Sequence, residues 1–335
     1  MSNDKNQHFI PRFLQRGFLS RIEKPNNRNK KKEFTYMYDK NRGLNEKNIK
    51  SVGSETYFYE SEKDLNNTIT DLENSFYTKI INNIRNKQIV DNVSLARLIA
   101  HFEIRNRNIR NVVCNSIEYI FENYLKNNEL KQMFDRLHLP YSMTVILMKF
   151  IKENYSNKLA QLCHNQVIKY EIDTNHRAED YSKLNYKIVY TKVSIPLGDS
   201  IILFHLQNEK FASFSSDEDF KAILLPVSSN ILIVGSYETY IEDILLIVEN
   251  ICKCSNEFFI SKDNIKSYED KIKLIGMNQK NLVNDDELAD YSLNDINPIY
   301  TDNINLYKDF NKDIVNNIPI DILDEMSNFL LKKNK

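Results

Sequence analysis

Hydrophobic positions recur at helical spacing through much of the first half of this chain. From Asp64 to Lys87, Leu65, Ile69, Leu72, Phe76, Ile80 and Ile84 step by three and four residues, predicting an amphipathic helix with one buried stripe. A longer helix is predicted from Val93 to Leu125 by Leu95, Leu98, Ile99, Phe102, Ile109, Val113, Ile117, Ile120, Phe121 and Tyr124. Helical patterning resumes from Ser142 to Lys158 and runs on to Cys163. The period then changes. Val167 to Ile172, Tyr186 to Ile195, Ile201 to Leu206, Ala222 to Val227 and Ile231 to Val234 are rich in Val, Ile and Tyr and read as strands, before a helix at Tyr240 to Cys252. Upstream, Pro11 suits the first turn of a short helix carrying Phe9, Phe13 and Leu14, with His8 at or just before its N-terminus and Gly17 as its stop. Phe34 to Tyr38 and Thr56 to Tyr59 read as extended. The expected fold class is α+β, with a helical N-terminal half and a mostly antiparallel sheet in the C-terminal half. The expected divisions are a mainly helical region over 1–165, a sheet-containing region over 166–283 packed on it, and an acidic segment over 284–335.

Several polar residues stand where this pattern calls for apolar ones. Glu73 falls on the edge of the first stripe, between the directions of Ile80 and Ile84. In the second helix Asn106 and Arg110 interrupt the apolar face, flanked by Glu103 and Arg105. A cation and an amide in a core-facing stripe cost several kcal/mol unless satisfied, so something polar or negative must face this turn, from the protein or from a ligand. His8, Glu73, Arg105, Asn106 and Arg110, with Asp217 in a loop between strands, therefore form a candidate site. Paired guanidinium groups suit bidentate recognition of phosphate or carboxylate. A His with one or two carboxylates can hold a divalent metal or move a proton. The alternative is a buried ion-pair network in which Glu73 satisfies Arg105 or Arg110. Arg97 and His101, four apart on one helix, loosely resemble the Arg and His pairing of metal-independent helical ribonucleases, although most such pairs are solvated helix faces.

Charge narrows the partners. With 45 Lys+Arg against 46 Asp+Glu the net charge is -1, which excludes adhesion to nucleic acid by bulk charge alone. The charge is uneven, however: residues 1–50 carry thirteen basic against five acidic side chains, and residues 284–335 carry eleven acidic against five basic. The basic run from Asn26 to Lys32 reads as a solvated loop, because nothing aromatic interleaves with it for base stacking. Four cysteines suit a reducing compartment, and neither Cys252-Lys253-Cys254 nor Cys163-His164 has the spacing of a zinc site. Six glycines argue against glycine-loop nucleotide binding. No apolar run reaches about 18 residues and the first residues are polar, so the expectation is a cytoplasmic chain with no membrane partner.

The opening Gln7-His8-Phe9-Ile10-Pro11-Arg12-Phe13-Leu14, with Gly17-Phe18 after it, resembles the start of a bacterial family of unknown function, domain-of-unknown-function family forty-two thirty-eight. The likeness continues through Phe34 to Asp39, Tyr57 to Tyr59, Leu72-Glu73, Arg105, Ser216-Asp217 and Leu225-Pro226-Val227-Ser228. This chain departs from the family's habit at Asn106-Arg107, where Thr-Pro is usual, and at Glu218-Asp219, where Asn-Pro is usual. The resemblance implies no activity, but it singles out His8, Glu73, Arg105 and Asp217. It also implies the company of bacterial accessory genes, including antiviral and toxin-like effectors.

The leading expectation is thus a nuclease-like phosphodiester hydrolase, a bacterial defence or toxin-type effector acting on RNA or DNA. In it His8, Glu73 and Arg105 would be catalytic, and Arg12, Asn106 and Arg110 would bind substrate. A divalent Mg or Mn ion would sit on His8, Glu73 and Asp217. The rivals are a non-catalytic sensor or protein-interaction module, and a binder of a small phosphate or carboxylate anchored on Arg105 and Arg110.

Overall fold

The computed structural model describes residues 6–24, 31–59, 63–111, 114–115, 141–213 and 220–278. Asp217, the acidic segment over 284–335 and the far end of the predicted second helix lie outside the described residues. The chain divides into two compact units, Met1–Ile117 with Ser156–Lys280, and Glu118–Tyr155 with Asn281–Lys335. Of the second, only residues 141–155 are described, as helix.

In the first unit, strand β1 (Asn6–His8) leads into α1 (Arg12–Gln15) and a 3-10 turn (Arg16–Phe18). Strands β2 (Arg21–Glu23), β3 (Lys32–Asp39), β4 (Gly43–Asn48) and β5 (Ser54–Thr56) follow. Next come α2 (Lys63–Leu72), a π-helical turn (Glu73–Tyr77), α3 (Thr78–Arg85) and α4 (Asn92–Ile104). After α5 (Tyr141–Thr174) and α6 (His176–Tyr181) come β6 (Asn185–Tyr190), β7 (Leu197–Gly198), β8 (Leu203–Leu206), β9 (Phe211–Ala212), β10 (Phe220–Ser228) and β11 (Ile231–Ser236). Helix α7 (Ile244–Cys254), β12 (Phe258–Ser261) and α8 (Lys266–Glu269) complete the described chain.

All the strand pairs are antiparallel. One sheet runs β6-β11-β10-β8-β9, and a second runs β2-β3-β12-β7 with β4 on the other side of β3; β1 and β5 pair on their own. The fold is α+β, but the expected halves are wrong. Strands open the chain, helices recur after the main sheet, and β12 from the C-terminal side pairs with β3 from the N-terminal side.

Alternation on β10 and β11 explains their unbroken apolar sequence. Ile223, Leu225, Val227, Ile231 and Ile233 enter one core with α1, α3 and α4, while Ala222, Leu224, Leu232 and Val234 enter a second core beneath α7. A strand covered on both faces has no polar side to show. Helix α4 is likewise buried almost all round, with Leu95, Ala96, Leu98, Ile99, Ala100, Phe102 and Ile104 in the first core.

Three local expectations are corrected. Val167 to Ile172 is not a strand: it lies inside α5, where Ile168 is buried in the core and Ile172 packs against it. His8 ends a strand rather than beginning a helix. The helix from Val93 does not run through residues 105–106. It stops at Arg105, and Asn106 restarts the chain by accepting the Asn108 N–H at 2.8 Å on Oδ1, an N-cap bond for the turn over 107–111. The interrupted stripe was a helix boundary.

Candidate functional site

Glu73, Arg105 and His8 do converge, and Tyr59 and His101 join them. Arg105 is 2% exposed at the C-terminus of α4. Its Nε donates to the Tyr59 hydroxyl at 2.6 Å, Nη2 to the His8 carbonyl at 2.6 Å, and Nη1 to Glu73 Oε1 and to His101 Nε2, the latter at 3.1 Å. His8 thus contributes its backbone oxygen to Arg105. The guanidinium holds β1, the turn before α2, the π turn and α4 together, with its three nitrogens all engaged by protein.

The other predicted site residues go elsewhere. Asn106 is fully buried and donates to the Ser200 and Ser213 carbonyls at 2.9 and 3.3 Å. Arg12 approaches Glu33 at 3.7 Å, beside Arg16 at 3.1 Å. Arg110 places its guanidinium carbon over the Phe58 ring, 3.7 Å from the centroid, and burial lowers its pKa to about 10. Its Nε and Nη2 have no acceptor among the described residues. Glu103 pairs with Arg177 at 2.8 Å and accepts from the Tyr181 hydroxyl at 2.6 Å, locking α6 onto α4. No group of three or more His, Cys, Asp or Glu side chains close enough to hold a metal ion is present among the described residues, and Asp217 is not one of them.

A cleft of about 280 Å³ is lined by His101 but not by Arg105. Its lining combines Leu72, Phe76 and Tyr77 around the π turn, Arg97, His101 and Ile104 on α4, and Glu171, Ile172, Asn175 and Ala178 on α5 and α6. The π turn makes this wall. An extra residue in the helical turn re-aims the side chains that follow it, and Tyr77 stacks on His101 with ring centroids 4.3 Å apart. Helix α5 ends at Asn175, whose φ of 54° turns the chain sharply into α6. Glu171 covers the start of α6, accepting the Arg177 and Ala178 N–H groups at 2.9 and 3.1 Å.

The electrostatics fix which groups donate. Burial lowers the His101 pKa to about 3, so the ring is neutral. A guanidinium can only donate, so Nε2, which faces Arg105, carries the lone pair and Nδ1 carries the proton. Burial pushes the Tyr77 hydroxyl up to about 12, which keeps it protonated. Neither that hydroxyl nor His101 Nδ1 has a protein acceptor among the described residues, although the two residues are only 7% and 2% exposed. Arg97, exposed on the same helix, makes no ion pair or hydrogen bond among the described residues. Three residues whose donors have no acceptor among the described residues therefore line one cleft.

The sequence reading paired Arg97 with His101, and both line this cleft. It missed Tyr59, Tyr77 and Glu171. Tyr77 follows Phe76 in what reads as unbroken helix, and Glu171 was inside the segment read as strand. Only the extra residue of the π turn brings Tyr77 round to His101, and no spacing in the sequence announces it.

Among the described residues no helix is long and apolar enough to cross a membrane. No curated protein and no solved structure matches this chain. A family model does, over residues 6–244, and that span contains β1 with its His8 carbonyl, the Arg105 network and every residue lining the cleft. The chain belongs to the family described as protein of unknown function (DUF4238).

Proposed function

We propose that this protein binds a small ligand bearing a carboxylate or phosphate in the cleft between the π turn, α4 and the α5–α6 junction. The observation that carries this reading is that Arg97, His101 and Tyr77, whose guanidinium, Nδ1–H and hydroxyl have no acceptor among the described residues, line one cleft of about 280 Å³. Donors that find no acceptor on the described protein are available to a ligand, and an acceptor-rich anion can take up all three at once. The volume falls at the low end of ligand pockets and fits a metabolite rather than a polymer segment. Arg105, which the sequence offered as the anchor, holds the wall in place: through Nη1 it sets the tautomer of His101.

The test is calorimetric titration with inorganic phosphate, mononucleotides and small carboxylic acids, on wild type and Arg97→Ala. A hydrogen bond to a charged group contributes about 1.5–3 kcal/mol, so Arg97→Ala weakens binding roughly ten- to hundredfold. Arg97 is exposed, so the variant keeps its fold. Equal affinity in the two proteins would remove the reading.

A second reading, hydrolysis of a phosphodiester by a nuclease-like effector, draws on the same cleft, because Arg97 and His101 reach it from one helix. There a cation would hold the phosphate beside an imidazole. The tautomer weighs against it, since the lone pair needed by a general base already accepts from Arg105. RNA and DNA cleavage by wild type, with Mg²⁺, Mn²⁺ or EDTA, lost in Arg97→Ala, would establish hydrolysis over simple binding.

A further inference from the structure

The same cleft is also lined by a carboxylate residue. Glu171 is 6% exposed, and burial raises its pKa above the usual range. Its two oxygens accept one backbone N–H each, from Arg177 and Ala178, which leaves each oxygen further acceptor capacity. The nearby Arg177 guanidinium turns to Glu103 instead, at 2.8 Å. Among the described residues Glu171 has no ion-pair partner, and neither has Arg97. Both lie within electrostatic reach of the Tyr77 hydroxyl, on which they act with opposite sign, yet they make no ion pair with each other. A cation and a carboxylate of one cleft, each unpaired and held apart, form the complement of a dipolar ligand. The same lining includes the apolar Leu72, Phe76, Ile104 and Ile172.

We infer that the ligand is a zwitterion, an α-amino acid with an apolar side chain. This rests on the binding reading above and names its ligand class. The ligand's carboxylate meets Arg97, His101 Nδ1–H and the Tyr77 hydroxyl. Its ammonium meets the open lone pairs of Glu171, and its side chain packs on Leu72, Phe76 and Ile172. Glu171 also selects against nucleotides and polyphosphates, whose charge it repels.

The experiment compares ligands on wild-type protein, so it needs no variant to fold. L-leucine and L-phenylalanine are titrated calorimetrically beside their deaminated acids, 4-methylpentanoate and 3-phenylpropanoate, and beside phenethylamine. At least one amino acid binds, and its deaminated acid and the amine each bind tenfold or more weakly. Glu171→Gln supplies a second arm, in which the preference for the amino acid over the deaminated acid shrinks at least fivefold. Deaminated acids binding as tightly as the amino acids would overturn the zwitterion and leave anion binding standing. Phosphate or mononucleotides binding where amino acids do not would do the same. Binding of none of these probes would remove both.

Discussion

Arg105 shows how one side chain can serve as a joint. Its guanidinium meets four acceptors contributed by β1, the turn before α2, the π turn and α4, and water has almost no access to it. Glu73 supplies the only negative charge among those four. Removing one partner of such a pair leaves a buried charge unmatched and typically costs about 3–5 kcal/mol. Glu73→Gln keeps the shape and removes the charge, so urea denaturation is expected to show a loss of about that size. A variant as stable as wild type would mean that Glu73 is not the group that neutralises Arg105. Both residues were legible in the sequence as polar positions on apolar faces. Their pairing was one of two outcomes the pattern left open, because spacing reports a residue's own helix face and not what lies across from it. Tyr59 and the His8 carbonyl gave no such signal.

At the scale of elements, the regular pieces were the readable ones. Strands β3, β10 and β11 fall where runs of Val, Ile, Leu, Phe and Tyr placed them, and the helices around Leu65 to Ile84 and Ile244 to Cys254 follow their three- and four-residue steps. Irregular pieces were not readable. Strand β4 pairs along its own full length with Phe34 to Asp39 of β3, but its sequence, Gly43 to Asn48, is mostly polar, so no apolar run announces it. The segment Val167 to Ile172 combines β-branched residues with helical position, and its place in α5 overrides local preference. The π turn is the irregularity that matters most. A π turn is one extra residue in an α-helix, so deleting Asn74, which is exposed, lets the helix close into regular α geometry with α2 and α3 still attached. Tyr77 then loses its stack on His101 and the cleft loses one wall. The deletion variant should keep its helical circular dichroism while failing to bind any ligand that wild type binds. Retained binding would show that the π turn does not shape the cleft.

Across the whole unit, buried titratable groups set how stability responds to pH, and their signs differ. His101 and His164 are buried and neutral, each with its pKa lowered by desolvation from 6.5 to about 3. His164 donates from Nε2 to the Ile104 carbonyl at 2.5 Å, one residue before Arg105, so both imidazoles brace the end of α4. A lowered pKa means that the unfolded chain takes up the proton first. Their contribution is complete above pH 6.5 and is lost as the pH falls towards 3. Asp199 runs the other way. It is 2% exposed and accepts the N–H groups of Asn256, Glu257 and Phe258, yet burial outweighs these bonds and raises its pKa from 3.8 to about 6. Here the folded state takes the proton first, so this contribution is present below pH 3.8 and is lost as the pH rises through 6. Between those limits the unfolded chain binds two protons at the imidazoles and the folded chain binds one at Asp199. For these three groups alone the excess is about one proton, which contributes a rise in stability with pH of roughly 1.4 kcal/mol per unit over that window. Asp199→Asn removes the opposing group, so urea midpoints measured from pH 4 to 6 should depend more steeply on pH than in wild type. The variant gains no relief from acid, although it deletes a carboxyl. His164→Gln has the reverse effect and makes the dependence shallower. A shallower dependence in Asp199→Asn would mean that the three backbone N–H groups overcome desolvation and hold Asp199 charged throughout.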